Sequence, residues 1–174
     1  MIDSQSGFYN IYTVDMAVNG TRLGIESRIY NDGSSTVDSG TTGVYIPGKA
    51  LKKIFEITQQ NYCGNINLNG ICGQSFENSI FGGGCYKLSA EEIASYPNIE
   101  IIAGKENPIT IVMDPQGYLI KGFCNDQEYY SSNIIDGGET SCLFGDSVML
   151  TNQVIYDKDN LRMGFSLKAN CQWK

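Results

Sequence analysis

The chain is organised around the segment Thr36-Val37-Asp38-Ser39-Gly40-Thr41-Thr42. An apolar approach to Asp38, followed by small residues, predicts a strand that ends at the carboxylate and then turns sharply. Gly40 allows backbone angles that other residues resist and lets another chain come close. The hydroxyls of Ser39, Thr41 and Thr42 can donate hydrogen bonds to a carboxylate, which favours its charged form. A simple Asx-turn at a strand end is the alternative at this point.

Composition places the chain among acidic, strand-rich proteins. Its 174 residues suit one domain, 1–174, burying roughly 70% of the unfolded surface. The 20 glycines outnumber the 4 prolines, and β-branched and aromatic residues are frequent, which favours strands. The 12 basic and 19 acidic residues argue against a nucleic-acid partner, because such affinity depends on basic contacts with phosphate. No apolar run approaches the ~20 residues of a membrane span.

The absence of histidine excludes several kinds of chemistry. Ser-His and Cys-His catalysis both need an imidazole, and so do the commonest zinc sites. We therefore expect neither a metal nor a cofactor. The segment 1–5 has no signal-peptide pattern.

The first half of the chain shows two kinds of periodicity. Apolar residues alternate over 7–29, which predicts strands, and the pair Asn19-Gly20 is a strong hairpin signal. The segment 31–34 predicts a turn. In 48–58 the apolar residues recur three and four positions apart, which predicts an amphipathic helix of about ten residues.

The second half is also expected to mix strands with short helices. A capping box over 89–92 predicts the start of a short helix. The segments 109–113 and 118–120 predict a hairpin, and the polar segment 126–138 predicts a loop near one end of the sheet. We expect one helical turn at 147–152, before a final hairpin, and no second domain.

The six cysteines form an even set at positions 63, 72, 85, 124, 142 and 171. Disulfides are favoured because no Cys-x-x-Cys pair and no histidine is present for a zinc cluster. The residues alone leave the connectivity open. Asn19-Gly20-Thr21 is an N-glycosylation sequon at the predicted hairpin turn. Together these features predict a glycoprotein of the secretory pathway, either secreted or vacuolar/lysosomal.

Four segments in the correct order resemble the pepsin-like aspartic proteases. The segment 36–42 resembles the second active-site motif of that family, a hydrophobic residue before Asp-Thr/Ser-Gly-Thr/Ser. The segment 12–20 is similar to the strand-turn-strand that opens the family's C-terminal lobe. Cys142-Leu143-Phe144-Gly145-Asp146 resembles the hydrophobic-hydrophobic-Gly-Asp motif, and 154–165 is similar to the closing hairpin. The resemblance covers nearly all of the chain.

This resemblance implies a mainly β fold, a β-barrel-like acid protease lobe with short helices. It also implies peptide hydrolysis by two aspartates that hold a water, of which Asp38 matches one. Ser39 matches the position whose hydroxyl ties one lobe's active loop to the other. Thr41 matches the residue that bonds the outer carboxylate oxygen, and Thr42 matches a substrate-cleft position. Gly40 completes the motif and is expected to support the active site.

The resemblance also implies one disulfide. Cys85 and Cys124 match the disulfide typical of the family's C-terminal lobe. With that pair in place, we expect Cys63–Cys72 as a small local loop and Cys142–Cys171 as a clamp on the C-terminus.

The sequence contains no second Asp-Thr/Ser-Gly motif after an apolar lead-in. The resemblance therefore implies half an active site, acting on a peptide or protein substrate. The expected partner is an N-terminal lobe with the second aspartate, from the same precursor or a separate chain, or a second copy. We expect exposed apolar surface where that lobe would pack. Activity of the chain alone stays open, and the alternative is a catalytically inactive binding or inhibitory protein.

Overall fold

A computed structural model describes residues 7–124 and 127–167 of the chain. Within these ranges the architecture is mainly β, with short helices between the strands. The described strands form two four-stranded sheets and two separate hairpins. The predicted fold class is therefore confirmed.

The first sheet has the order β2-β1-β5-β6 and is antiparallel throughout. Its strands are β1 (Thr13–Val18), β2 (Thr21–Arg22), β5 (Ile99–Ala103) and β6 (Ile109–Met113). Residues Asn19 and Gly20 join β1 to β2 with φ of 43° and 79°, as a two-residue hairpin turn of this hand requires. The hairpin predicted at Asn19-Gly20 is therefore confirmed.

The second sheet has the order β3-β10-β4-β9 and carries the Asp38 segment. Its strands are β3 (Ser35–Val37), β4 (Val44–Ile46), β9 (Ile134–Asp136) and β10 (Cys142–Phe144). Strand β10 runs parallel to β3 and antiparallel to β4, and β4 runs parallel to β9. Val37, Val44, Ile46 and Phe144 point into the core and are buried.

The longest helix packs its apolar stripe into the same core. Helix α2 (Gly48–Tyr62) buries Leu51, Ile54 and Phe55, as the spacing predicts, and continues past the expected end at residue 58. Helix α3 (Ala90–Ala94) begins with the predicted capping box, in which Ser89 and Glu92 bond each other's backbone N–H groups. Two short 3-10 helices lie between them, at Phe76–Asn78 and Ile80–Gly82.

Three local predictions are wrong, those for 27–31, 109–120 and 126–138. Residues Ser27–Asn31 form helix α1, which begins inside the segment 7–29 predicted as strands. The predicted hairpin over 109–120 does not form: β6 pairs with β5, and helix α4 (Pro115–Tyr118) follows it. Asp114 caps α4 by accepting from the Gly117 N–H, and proline suits the first helical position, so this segment turns as a helix.

The polar segment 126–138 is not a loop. Its described part forms strand β8 (Gln127–Ser132), which pairs with β7 (Leu119–Cys124), and then β9. Strand β8 is half-exposed, so it lacks the apolar alternation that marks a strand in sequence. Helix α5 (Asp146–Thr151) and the hairpin of β11 (Asn152–Asp157) with β12 (Arg162–Leu167) form close to where they are expected.

Two disulfides join four of the five described cysteines. Cys63 is bonded to Cys72, and Cys85 is bonded to Cys124, the pair that the resemblance implies. Cys142 is a buried thiol without a disulfide partner in 7–124 or 127–167, and burial raises its pKa to about 12. Its expected partner, Cys171, lies outside the described residues.

No helix within residues 7–124 and 127–167 is both long enough and apolar enough to cross a membrane. In the same ranges, no group of three or more Cys, Asp or Glu side chains is placed to hold a metal ion.

Candidate active site

Asp38 lies where strand β3 ends, at the margin of the second sheet. Its backbone N–H donates to the Phe144 carbonyl at 3.0 Å, which continues the pairing of β3 with β10 by one residue. Side chains alternate across a strand, so Ser35 and Val37 are buried while Thr36 and Asp38 point to the opposite face. The carboxylate is therefore half-buried on a rigid support.

Two donors from the following turn hold the Asp38 carboxylate. The Gly40 N–H donates to Oδ1 at 2.9 Å, and the Thr41 hydroxyl donates to Oδ2 at 2.8 Å. The Gly40 N–H, and then the Thr41 hydroxyl, lower the pKa of Asp38, because both bonds favour the charged form. Each oxygen keeps a further lone pair. A carboxylate fixed in this way can accept a proton from a bound water.

Gly145 lets the end of β10 pass directly against this turn. Its N–H donates to the Gly43 carbonyl at 3.0 Å, and the next N–H, of Asp146, donates to the Thr41 carbonyl at 2.7 Å. A Cβ at position 145 would lie 2.1 Å from the Thr41 carbonyl oxygen. Glycine is therefore required here by close backbone approach. This contact explains why the motif Leu143-Phe144-Gly145-Asp146 accompanies the Asp38 segment.

A buried polar network fixes the far end of the turn. The Thr42 carbonyl accepts from the Ser147 N–H at 3.1 Å, from the Ser147 hydroxyl at 3.3 Å and from Asn133 Nδ2 at 3.2 Å. Asn133 also donates to the Ser147 hydroxyl at 2.7 Å. Both side chains are buried, so this network holds the Thr42 backbone while its side chain stays exposed. Sequence reasoning missed Asn133 and Ser147.

A cleft of about 400 Å³ opens beside the carboxylate. Its lining includes Phe8, Tyr9, Thr36, Asp38, Ser39 and Tyr156. Ser39 is exposed at this cleft, whereas Thr42 is not part of its lining. The structure thus places the predicted residues 38–41 together and puts Ser39 and Thr42 in different surroundings.

Comparison with known proteins assigns the chain to a family. The sequence model of the eukaryotic aspartyl protease family matches residues 2–168. The chain belongs to this family. It is also 27% identical, over 169 residues, to Aspartic proteinase 39 of Arabidopsis thaliana, a match that covers 94% of this chain and 32% of that protein. The chain thus spans about a third of the length of this curated relative.

Tyr156 is a further residue of the Asp38 cleft that sequence reasoning missed. Its hydroxyl is buried and has no hydrogen-bond partner among residues 7–124 and 127–167. The Tyr9 ring packs edge-on against the Tyr156 ring, with 4.6 Å between centroids. Burial, and then the charge of Asp38, raise the pKa of Tyr156, so its hydroxyl stays protonated and can donate. No local pattern in the sequence marks this tyrosine.

A larger hollow lies away from the Asp38 segment. It measures about 700 Å³ beside helix α2, and residues 36–42 are absent from its lining. The Asp136 carboxylate already occupies the start of the helix, where a Cβ at Gly48 would lie 2.6 Å from it. The motif residues Asp38 and Ser39 line the smaller cleft instead.

Asp38 has no carboxylate partner in the described parts of the chain. Its hydrogen bonds come from Gly40 and Thr41, and no second acid contributes to the shift of its pKa. A carboxylate that titrates alone lacks the shared proton of an aspartate pair. The described site therefore holds one ionised aspartate with its supporting donors.

Proposed function

We propose that this chain is the C-terminal lobe of an aspartic endopeptidase and supplies Asp38 as one of its two catalytic aspartates. The observation that supports this most directly is the Asp38 carboxylate itself. It is fixed by the Gly40 N–H and the Thr41 hydroxyl, at the margin of a sheet in a cleft. Family membership supports peptide hydrolysis as the reaction.

The proposed reaction needs two carboxylates that share one proton. Like charges held close together cannot easily both ionise, so one group is charged and its partner is protonated, as is general for aspartic proteases. The ionised carboxylate takes a proton from a water, whose oxygen attacks the scissile carbonyl carbon. The protonated carboxyl gives its proton to the carbonyl oxygen. Collapse of the tetrahedral intermediate then breaks the C–N bond as the leaving nitrogen is protonated.

The other motif residues take supporting roles in this proposal. Thr41 and Gly40 orient the carboxylate and lower its pKa, so that it is ready to accept the proton from water. Ser39, exposed at the cleft, ties this lobe to its partner. Thr42 lies outside the lining of the cleft, exposed on a backbone held by Asn133 and Ser147, and in this proposal it contacts substrate that extends beyond the cleft.

The second carboxylate comes from another lobe. We place it on an N-terminal lobe, from the same precursor or a separate chain, with a second copy of this chain as the other source. The match to about a third of the relative's length supports a larger functional unit. Apolar side chains at the closing hairpin support an uncovered contact surface, because Ile155 is 52% exposed and Leu167 is 73% exposed.

We place the protein in the secretory pathway, either secreted or vacuolar/lysosomal. Two disulfides support this location, because disulfides form and persist in oxidising compartments. A glycan at the Asn19 sequon belongs to the same proposal.

A second candidate is a catalytically inactive protein of this family that binds or inhibits another molecule. The lone Asp38, without a carboxylate partner in the described parts of the chain, favours this alternative. A binding role would use the cleft or the exposed hairpin and would need no proton transfer.

The experiment is to mix the chain with a recombinant N-terminal lobe that carries the other Asp-Thr/Ser-Gly motif and to assay acid proteolysis. We expect activity in the mixture that a pepstatin-type inhibitor abolishes. Asp38→Asn is the matched control, because it keeps the shape but removes the base, and it should lower kcat by about 10²–10⁴-fold. If the mixture shows no proteolysis although both lobes are folded and bound to each other, the result would favour the inactive binding protein.

A further inference from the structure

The glycosylation sequon lies at a turn that the structure holds rigidly. Asn19 and Gly20 form the β1–β2 turn, and Asn19, Gly20 and Thr21 are all exposed. Asparagine tolerates the left-handed backbone at position 19, where φ is 43°. The sequon is therefore accessible from solvent, yet it does not sit in a free loop.

The Asn19 side chain joins three segments of the fold. Its Oδ1 accepts from the Asn98 N–H at 2.9 Å, while the Asn19 N–H donates to the Asn98 carbonyl at 3.0 Å. These two bonds extend the pairing of β1 with β5 by one step. Its Nδ2 donates to the Tyr62 hydroxyl at the end of helix α2. The turn is thereby tied to both the first sheet and the longest helix.

The residue before Tyr62 in helix α2 contacts the sequon hydroxyl. Asn61 Nδ2 donates to Thr21 Oγ1 at 3.4 Å, beside the contact of Tyr62 with Asn19. Both polar side chains of the sequon are thus engaged by consecutive residues of α2. A transferase that needs these two side chains would have to act before α2 packs against the turn.

The amide chemistry leaves these contacts compatible with a sugar. The Asn19 amide nitrogen carries two hydrogens, and an N-glycosidic bond replaces one of them. Oδ1 remains an acceptor for Asn98, and Nδ2 keeps one hydrogen for Tyr62. In the transfer, the Nδ2–C1 bond forms, the sugar's bond to the pyrophosphate of a lipid-linked donor breaks, and the lost proton passes to a base of the transferase.

The turn also lies far from the Asp38 cleft. Strand β1 begins at Thr13, whose hydroxyl donates to the Ser35 hydroxyl at the start of β3. It then runs for six residues to the turn, about 20 Å at 3.3 Å per residue. A glycan at this end therefore leaves the cleft open to a substrate and a partner lobe.

We propose that Asn19 carries an N-linked glycan and still holds the β1–β2 turn to Asn98 and Tyr62. The inference rests on the secretory location proposed above. It adds that a single amide serves as attachment site and structural link at once, and that attachment precedes the packing of α2 on the turn.

The experiment is to express the chain behind an added eukaryotic secretion signal, so that its native location is not at issue. Wild type, Thr21→Val and Asn19→Gln are compared by mass before and after peptide-N-glycosidase treatment. Wild type should carry a glycan on Asn19, and both variants should lack one. Thr21→Val is the matched control, because it removes the sequon but keeps Asn19 and a β-branched residue in β2.

Thermal unfolding of the secreted proteins tests the structural link. Glycosylated wild type and Thr21→Val should unfold at nearly the same temperature, and Asn19→Gln should unfold about 2–4 °C lower. A wild type secreted without a glycan would overturn the proposal. So would a glycosylated wild type that unfolds at the lower temperature of Asn19→Gln. If Asn19→Gln is not secreted, the pair of wild type and Thr21→Val still decides both points.

Discussion

The turn after Asp38 and the closing hairpin of β11 and β12 differ in how many of their polar groups have hydrogen-bond partners in the described chain. In the turn, the Asp38 carboxylate, the Thr41 carbonyl and the Thr42 carbonyl all accept hydrogen bonds from nearby groups. In the hairpin, the Tyr156 hydroxyl is buried without a partner among the described residues, and Ile155 is half-exposed. The polar groups of the turn thus find their partners within the described chain, whereas the hairpin leaves one buried hydroxyl unpaired there and one apolar side chain half-exposed.

The difference separates two parts of the proposed catalytic machinery. The position of Asp38 is determined inside this chain, because β3, β10 and Gly145 fix it through backbone contacts. The hairpin keeps exposed apolar side chains, as expected of a surface that meets another lobe, and one buried hydroxyl without a hydrogen-bond partner in the described chain. The comparison therefore predicts that changes in the turn cost stability, whereas removing the Tyr156 hydroxyl does not.

The largest effect is expected from Gly145→Ala. The new Cβ would lie 2.1 Å from the Thr41 carbonyl and 2.4 Å from the Gly43 carbonyl, so the backbone must move apart. We expect a loss of ~3 kcal/mol in the free energy of unfolding, at the upper end for an overpacked site. Urea unfolding measures it, with Gly64→Ala as the control, because nothing lies within 4 Å of a Cβ there. Equal stability of the two variants would contradict the close crossing at Gly145.

The Asp38 turn was the part of the site that the sequence could predict. The pattern of an apolar residue, an aspartate and small hydroxyl residues predicts this turn from nearby sequence alone. The donors to the carboxylate come from positions only two and three residues after it. The turn at Asn19-Gly20 and the stripe of helix α2 were predictable for the same reason. Each of these three features depends on residues that are close together in the sequence.

Features that depend on distant partners were missed. Asn133 meets Thr42 across 91 residues of sequence, and no local pattern distinguishes it from a loop asparagine. Helix α1 ends at Asn31, whose side chain accepts from the Thr13 N–H at 3.0 Å and donates to the Thr13 carbonyl at 2.7 Å. Strand β8 forms because β7 lies beside it. Tertiary contacts of this kind override local propensity.

A smaller effect, of opposite sign, is expected at the hairpin. Tyr156→Phe removes a buried hydroxyl that has no partner in the described residues, and it should raise the free energy of unfolding by about 1 kcal/mol. Tyr118→Phe is the matched control, because the Tyr118 hydroxyl is buried and donates to the Pro97 carbonyl at 2.6 Å. That variant should lose about 1–2 kcal/mol. Both are measured by urea unfolding of the chain without a partner lobe.

The two tyrosine variants are expected to change the free energy of unfolding in opposite directions, and this difference in sign is the test. If Tyr156→Phe destabilises the chain as much as Tyr118→Phe does, the Tyr156 hydroxyl has a partner and the hairpin is as complete as the turn. The distinction between the two regions would then fail.

The smallest effect concerns the ionisation of Asp38. Thr41→Val removes one of the two donors to the carboxylate, so the pKa of Asp38 should rise towards its ordinary value. A folded-state pKa below the unfolded value contributes stability above about pH 4, and this contribution is lost as the pH falls through the lowered pKa. The variant should therefore unfold more easily than wild type near neutral pH and approach wild type in acid.

Carboxyl resonances followed by NMR against pH measure the Asp38 pKa directly. Thr41→Ser keeps the hydroxyl and should leave the pKa low, which separates the hydrogen bond from the packing of the methyl group. An unchanged pKa in Thr41→Val would leave the Gly40 N–H as the sole effective donor. The turn would then hold its carboxylate by backbone geometry alone, and Gly145, which sets that geometry, would control the charge of Asp38 as well as its position.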